Sequence, residues 1–358
     1  MENDSTIDYL NLPEINKGKS EIYSLIEIAI SYDASDLILS AGSMPNLRVD
    51  GKLLPVFEKP RLTHGYIEKL VFMLIGEEQK KTLKEKKELD CSYVFKDKAF
   101  LRLNVFYQKG TIACVIRLIP GEVKNFEELN LPLVIRKFTQ DPHGLVLVTG
   151  PSGSGKSTTI ASILEEINRT SQKHILTIED PIEYIFKPKQ CIINQRELAR
   201  DTLSYSNALK SALREDFDVV FIGELRDQES IEAALNIAES GHLVFSTIHS
   251  QDAVSVPERL VNFFPIDSQN SIRNQLAGVL LGVVAQRLIP RIEGGRIPVV
   301  ETLFTNQAVR NLIKENKSNQ LKNIIQTGAS EGMMTFEKSL EELIAQGKIL
   351  SDYRKKVR

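Results

Sequence analysis

The stretch GLVLVTGPSGSGKST, Gly144 to Thr158, decides the fold. Leu145 to Val148 form an unbroken apolar run, as a strand buried on both faces requires. From Gly150 onward the residues fit the pattern G-x-x-x-x-G-K-[ST], placed between that strand and an expected helix, where a phosphate-binding loop has to sit. Gly150, Gly153 and Gly155 let the backbone turn its N–H groups inward around a phosphate chain, and Ser152, Ser154 and Thr158 complete the loop. Lys156 is expected to reach the β- and γ-phosphates, and Ser157 to place its hydroxyl on Mg²⁺. ATP and Mg²⁺ are the expected ligands.

Three more short apolar runs follow: HILTIED from His174, DVVFIGE from Asp218 and HLVFSTIH from His242. Each leads into turn or helical sequence, which predicts an α/β unit with a parallel sheet covered by helices on both faces. Ligands of such sheets lie outside the carboxyl ends of the strands. DVVFIGELRD, Asp218 to Asp227, then poses a question. Many phosphate-cleaving proteins carry two adjacent acids at this strand end, and here Gly223 precedes Glu224. Either the chemistry is absent or the second carboxylate comes from elsewhere, and HILTIEDPIEYIF supplies Glu179, Asp180 and Glu183 on the same lip of the sheet. The resulting expectation is that Glu224 joins the magnesium shell while Glu183 polarises the water. His249, at another strand end, is expected to hydrogen-bond the γ-phosphate; His242 begins that strand, and its role stays open. A metal-ligand reading of the histidines is poor, since no HExxH-like pair or cysteine partner accompanies them.

The first third has a different grammar. Glu21 to Tyr32 predicts a helix capped by Ser20, with Ile22, Leu25, Ile26 and Ala29 at helical spacing. Asp50-Gly51 marks a hairpin, Glu77 to Leu89 a charged helical segment, and Ser92 to Pro120 three antiparallel strands. Alternation puts Leu101, Leu103 and Val105 on one face and Arg102 and Asn104 on the other. The expected organisation is a flexible tail (1–20), a small α+β domain (21–120), a linker (121–138) and the phosphate-binding domain (139–358). That last domain is expected to turn helical from about 268, where Leu276, Val279, Leu280, Val283 and Val284 form an apolar stripe.

Bulk properties exclude several classes. A net charge of −2 and a pI near 6.3 give no nucleic-acid footprint, so no direct nucleic-acid partner is expected. GVLLGVVA, among the longest apolar stretches, is far too short to span a bilayer, and the polar, acidic N-terminus has no export signal. Cys91, Cys114 and Cys191 form no CxxC pair, which fits packing roles in a reducing cytoplasm.

GPSGSGKSTT, ILTIEDPIEYI, the segment from Asn194 to Asp227, and GHLVFSTIHS resemble, in order, the Walker A, Asp, Walker B and His boxes of secretion-superfamily ATPases. Within that superfamily the chain is similar to the branch that retracts type IV pili. The resemblance extends to ASDLILSAG and LRVDGKL in the first domain and to AVRNLIKENK and IQTGASEGMMTFEKSL near the end. It implies a PAS-like N-terminal domain, a RecA-like ATPase domain and a homohexameric ring. It also implies an ATP-driven motor for pilus retraction and twitching, cytoplasmic and peripheral to the inner membrane at the pilus base, with a pilus platform protein as partner. Glu183 carries over as catalytic base and Glu224 as the Walker B acid. Arg102 and Arg117 carry over as arginines that approach a neighbouring subunit's nucleotide; by sequence alone they are strand arginines. Arg214 and Arg226 flank the Walker B strand and either pair with acids or contact nucleotide. In AVRNLIKENK, Arg310 and Asn311 are expected to transmit nucleotide state. Phe217, Ser246 and Val309 depart from the family pattern without removing a catalytic group. Assembly and secretion ATPases usually add an N-terminal domain and a four-cysteine insert, neither visible here. An accessory paralogous retraction ATPase and a nucleotide-gated scaffold without turnover complete the alternatives.

Overall fold

The computed structural model describes residues 14–49, 51–57, 59–96, 99–119, 123–198, 200–212 and 214–355. The chain forms two compact units, divided after residue 121.

The first unit opens with helix α1 (Glu14–Ser31). Residues 1–13 of the expected tail lie outside the described residues; residues 14–20 are helical, so Ser20 sits within the helix instead of capping it. Ile22, Leu25, Ile26 and Ala29 are fully buried, as their spacing predicts. They pack into the core of an antiparallel sheet made by β1 (Asp36–Leu39), β2 (Asn46–Val49), β3 (Lys52–Pro55), β4 (Glu88–Phe95), β5 (Ala99–Gln108) and β6 (Thr111–Ile119). The strand order is β3-β2-β1-β6-β5-β4, with α2 (His64–Phe72) and α3 (Glu77–Lys86) inserted between β3 and β4. Leu101, Leu103 and Val105 are fully buried, and alternation leaves Arg102 on the opposite face, directly across from Arg117 of β6.

The second unit holds a seven-stranded sheet. Its strands are β7 (Gly144–Thr149), β8 (His174–Glu179), β9 (Ile192–Glu197), β10 (Val219–Ile222), β11 (Leu243–Ile248), β12 (Leu280–Pro290) and β13 (Arg296–Phe304). The order is β13-β12-β7-β11-β10-β8-β9, parallel throughout except for the β12–β13 hairpin. Between the strands run α4 (Lys156–Thr170), α5 (Tyr205–Ala212), α6 (Gln228–Glu239), α7 (Val256–Val261) and α8 (Ile266–Val279). Both faces are covered: Leu145, Leu147, Val220 and Ile222 pack into one core, while Val146, Val148, Val219 and Phe221 pack into the other. That explains why these strands read as continuous apolar runs. Much of the stretch expected to link the units packs into this second core through Phe126, Leu131, Ile135 and Phe138.

The expectation of helix from about 268 is corrected. The stripe residues Leu280, Val283 and Val284 lie on β12, between β7 and β13, and only α8 ahead of them is helical. A run buried on both sides has no alternation, so its periodicity fits helix and strand equally. Helical structure resumes with α9 (Gln307–Lys314), α10 (Leu321–Thr327) and α11 (Phe336–Ala345). Along the outer side of β13, Thr302 exchanges backbone hydrogen bonds with Met334, and the N–H of Val300 donates to Oγ of Ser339 on α11.

Candidate active site

The phosphate-binding loop joins β7 to α4, which places Lys156 at the first helical residue and the helix N-terminus against the cleft. The cleft measures about 450 Å³ and is lined by residues 152–158 together with the carboxyl ends of β8, β10 and β11. Lys156, Ser157, Glu183, Glu224 and His249 all line it. Gly150 takes part through its carbonyl, which accepts from Nζ of Lys156 at 3.0 Å; the Pro151 carbonyl accepts at 3.2 Å. Burial draws the affinity of Lys156 for its proton down, and the nearby Glu224 and Glu183 carboxylates oppose that shift.

Position 223, beside Glu224, is closely packed. A Cβ on Gly223 would come within 3.3 Å of the Cα of Glu179 and the carbonyl of Ile178, and 3.1 Å from the Tyr205 hydroxyl. Any side chain at 223 would press on these neighbours by a few tenths of an ångström. The loop after β8 brings Glu183 to the cleft. Two contacts seat it: the Glu183 N–H lies 3.4 Å from Oε2 of Glu179, and the next residue, Tyr184, shares a 2.8 Å hydrogen bond between its hydroxyl and that of Thr158. Glu179 is buried, and burial raises its carboxyl to about 7 against donated hydrogen bonds from Thr177, the Glu183 N–H and Gln195.

Glu224 is bound on both oxygens. Oε2 accepts from Nε of Arg226 at 2.9 Å, and Oε1 faces Nε2 of His249 at 3.2 Å. The other ring nitrogen of His249 lies 3.4 Å from Nζ of Lys156. A tautomer protonated on Nε2 satisfies both contacts, donating to Glu224 and accepting from the lysine. Arg226 also lies 3.7 Å from Asp180, and it lines the cleft as well, so it pairs with acids at a place where a nucleotide would also meet it. Arg214, exposed in the turn after α5, and His242, hydrogen-bonded at the opposite end of β11 to Ser240, do not line the cleft. Arg102 and Arg117 belong to the first unit, where Arg117 pairs with Asp36 at 3.1 Å and Arg102 lies 3.9 Å from Asp90.

Sequence reasoning missed Gln286 and Arg296. Arg296 lines the cleft from the β12–β13 hairpin, and Gln286 is buried beside the loop. Both lie in the region assigned to helix, where no strand-end argument reached them. Chemically, the cleft combines a half-buried cation, a helix N-terminus and carboxylates of different surroundings, Glu183 and Glu224 among them. That set suits a phosphate chain and an attacking water. Ser157 and Glu224 add hard oxygen donors of the kind Mg²⁺ takes, and no cluster of three His, Cys, Asp or Glu side chains among the described residues is arranged to hold a metal alone. The metal would come with the phosphates.

The family model described as Type II/IV secretion system protein matches residues 24–354. The type IV pilus retraction ATPase PilT of Pseudomonas aeruginosa is 44% identical, covering 92% of this chain and 95% of that one. A twitching motility protein of Neisseria gonorrhoeae is 43% identical, covering 85% and 82%. A crystal structure of the pilus retraction motor PilT with bound ADP superposes with a TM-score of 0.88 at 43% identity, covering 94% of this chain and 96% of that one.

Proposed function

The chain belongs to the Type II/IV secretion system protein family, and from that premise we propose that it is the ATPase that powers retraction of type IV pili. The observation that carries the reading is the convergence of Lys156, Glu183 and Glu224 on one cleft, in a chain that aligns along 92% of its length with a retraction ATPase.

In this reading the loop N–H groups and Lys156 hold the phosphates and meet the charge that develops as the terminal phosphoryl group leaves. Glu183 orients the water and takes its proton. Ser157 and Glu224 hold Mg²⁺, which neutralises phosphate oxygens when bound; Arg226 and His249 keep the Glu224 carboxylate in place. His249 also reports on the phosphate through its contact with Lys156. The working unit is a homohexamer in which Arg102 and Arg117 of one subunit complete a neighbour's site. No helix among the described residues is long and apolar enough to cross a membrane. We assign the ring to the cytoplasmic side of the pilus base, against an inner-membrane platform protein.

Lys156→Ala tests the site: phosphate release should vanish, and a rate within a few-fold of the parent chain would sink the assignment. A deletion strain tests the direction of force. Excess surface pili without twitching is the expected result, and bald cells would mean assembly.

A further inference from the structure

We propose that Gln286 is a positioning residue for nucleotide binding, one that aims the Gly155 N–H of the phosphate loop into the cleft. The inference rests on the nucleotide-binding reading above and adds to it a residue outside the four boxes.

Gln286 lies on β12 and is 2% exposed, so its amide has no water to fall back on. Both ends are used. Oε1 accepts from Oγ1 of Thr159 on α4 at 2.6 Å, and Nε2 donates to the Ser154 carbonyl at 2.6 Å. These partners fix the orientation of the amide, because the hydroxyl can give and the carbonyl can only receive. The Ser154–Gly155 peptide is trans, since among the described residues the cis bond is Asp180–Pro181. In a trans peptide the C=O and N–H point in opposite directions. Holding the Ser154 carbonyl toward β12 therefore turns the Gly155 N–H the other way, toward the cleft that Gly155 lines.

The loop's glycines corroborate the closeness of this support. A Cβ on Gly155 would lie 2.8 Å from Nε2 of Gln286, and one on Gly150 would collide with the Gln286 carbonyl. Gly155 also holds φ at +87°, a left-handed conformation. Gln286 thus touches the loop at both its beginning and its end, from a strand that carries none of the recognised motifs.

The test uses the full chain, with ATP and ADP as probes. Gln286→Met keeps the length and removes both hydrogen bonds. The double change Gln286→Met, Thr159→Val also removes the hydroxyl left without a partner. Replacing both partners of the Thr159–Gln286 pair by apolar groups relieves the cost of that pair, but the Ser154 carbonyl stays unheld. Both variants should therefore bind ATP at least tenfold more weakly, with KM raised more than kcat is lowered, while the double variant regains part of the melting temperature that the single variant loses, the share that belongs to the Thr159 hydroxyl. A structural role alone predicts that affinity returns with stability. ATP affinity within twofold of the parent in either variant overturns the proposal. Failure of the parent chain to bind ATP at all would instead overturn the nucleotide-binding reading on which it stands.

Discussion

His249 and Glu224 face each other at 3.2 Å across the cleft, and the second oxygen of the same carboxylate is taken by Arg226. A carboxylate held from both sides suits a fixed charge and is poorly placed to collect a proton from water. Glu183 is exposed, and among the described residues its carboxylate takes no hydrogen bond or ion pair. Glu183→Gln should therefore bind Mg-ATP and turn over about 10²–10⁴-fold more slowly, the usual loss for a general base. Glu224→Gln should make turnover more dependent on magnesium concentration. Near-normal turnover of Glu183→Gln in a steady-state assay would show that another group positions the water.

Arg102 and Arg117 stand opposite each other on β5 and β6, an arrangement of like charges that is unfavourable unless each is offset. Asp36 and Asp90 lie close enough to do so. If the pair serves a neighbouring subunit, mixing Arg117→Ala chains with Lys156→Ala chains should recover phosphate release, because some interfaces then join an intact arginine to an intact lysine. No recovery at any ratio, with mixed rings verified by mass spectrometry, removes the arginines from the site.

Glu179 predicts a pH dependence of stability. Its carboxyl lies at about 7 in the folded chain, against an ordinary 4.5. The folded chain therefore keeps a proton that the unfolded chain releases as pH rises from 4.5 to 7, and stability falls across that window. Glu179→Gln removes the effect: its gain over the parent should be near zero below pH 4.5 and roughly 3 kcal/mol above pH 7, at about 1.4 kcal/mol per unit. Urea unfolding at pH 5 and pH 8 measures the difference. A gain independent of pH would mean that Glu179 is ionised in the fold.

The guanidinium of Arg310 donates to the carbonyls of Ala277 and Gly278, at the C-terminal end of α8. Those carbonyls lack intrahelical partners, and a cation there also meets the negative end of the helix dipole. Arg310→Ala should lower stability by about 1–2 kcal/mol, whereas Asn311→Ala, exposed on α9, should stay within about 0.5 kcal/mol. In cells the double change should stop pilus retraction while the purified chain still releases phosphate. Normal retraction would take AVRNLIKENK out of the mechanism.

The parallel strands of the second unit were legible because Leu145–Val148 and Val219–Ile222 are apolar without a break, each ending in turn chemistry. The loop and its acids were legible because strand ends in such a sheet converge. Residues 280–290 were not, since burial between two strands erases the alternation that distinguishes them from a helix. Gln286 was lost with them. The pairing of Arg226 with Glu224 and Asp180 was equally hidden, because charge sequence alone does not say which acids a turn brings within reach.

The contacts along the outer side of β13 have a consequence for solubility. An edge strand offers a row of unpaired N–H and C=O groups onto which other chains can add. Here the outward N–H of Thr302 is taken by Met334, that of Val300 by the Ser339 hydroxyl, and the next outward position in the alternation is Pro298, which has no N–H. From 298 to 302 this margin of the sheet presents no donor to an incoming strand. A long, apolar final strand is thereby kept from acting as a template for aggregation.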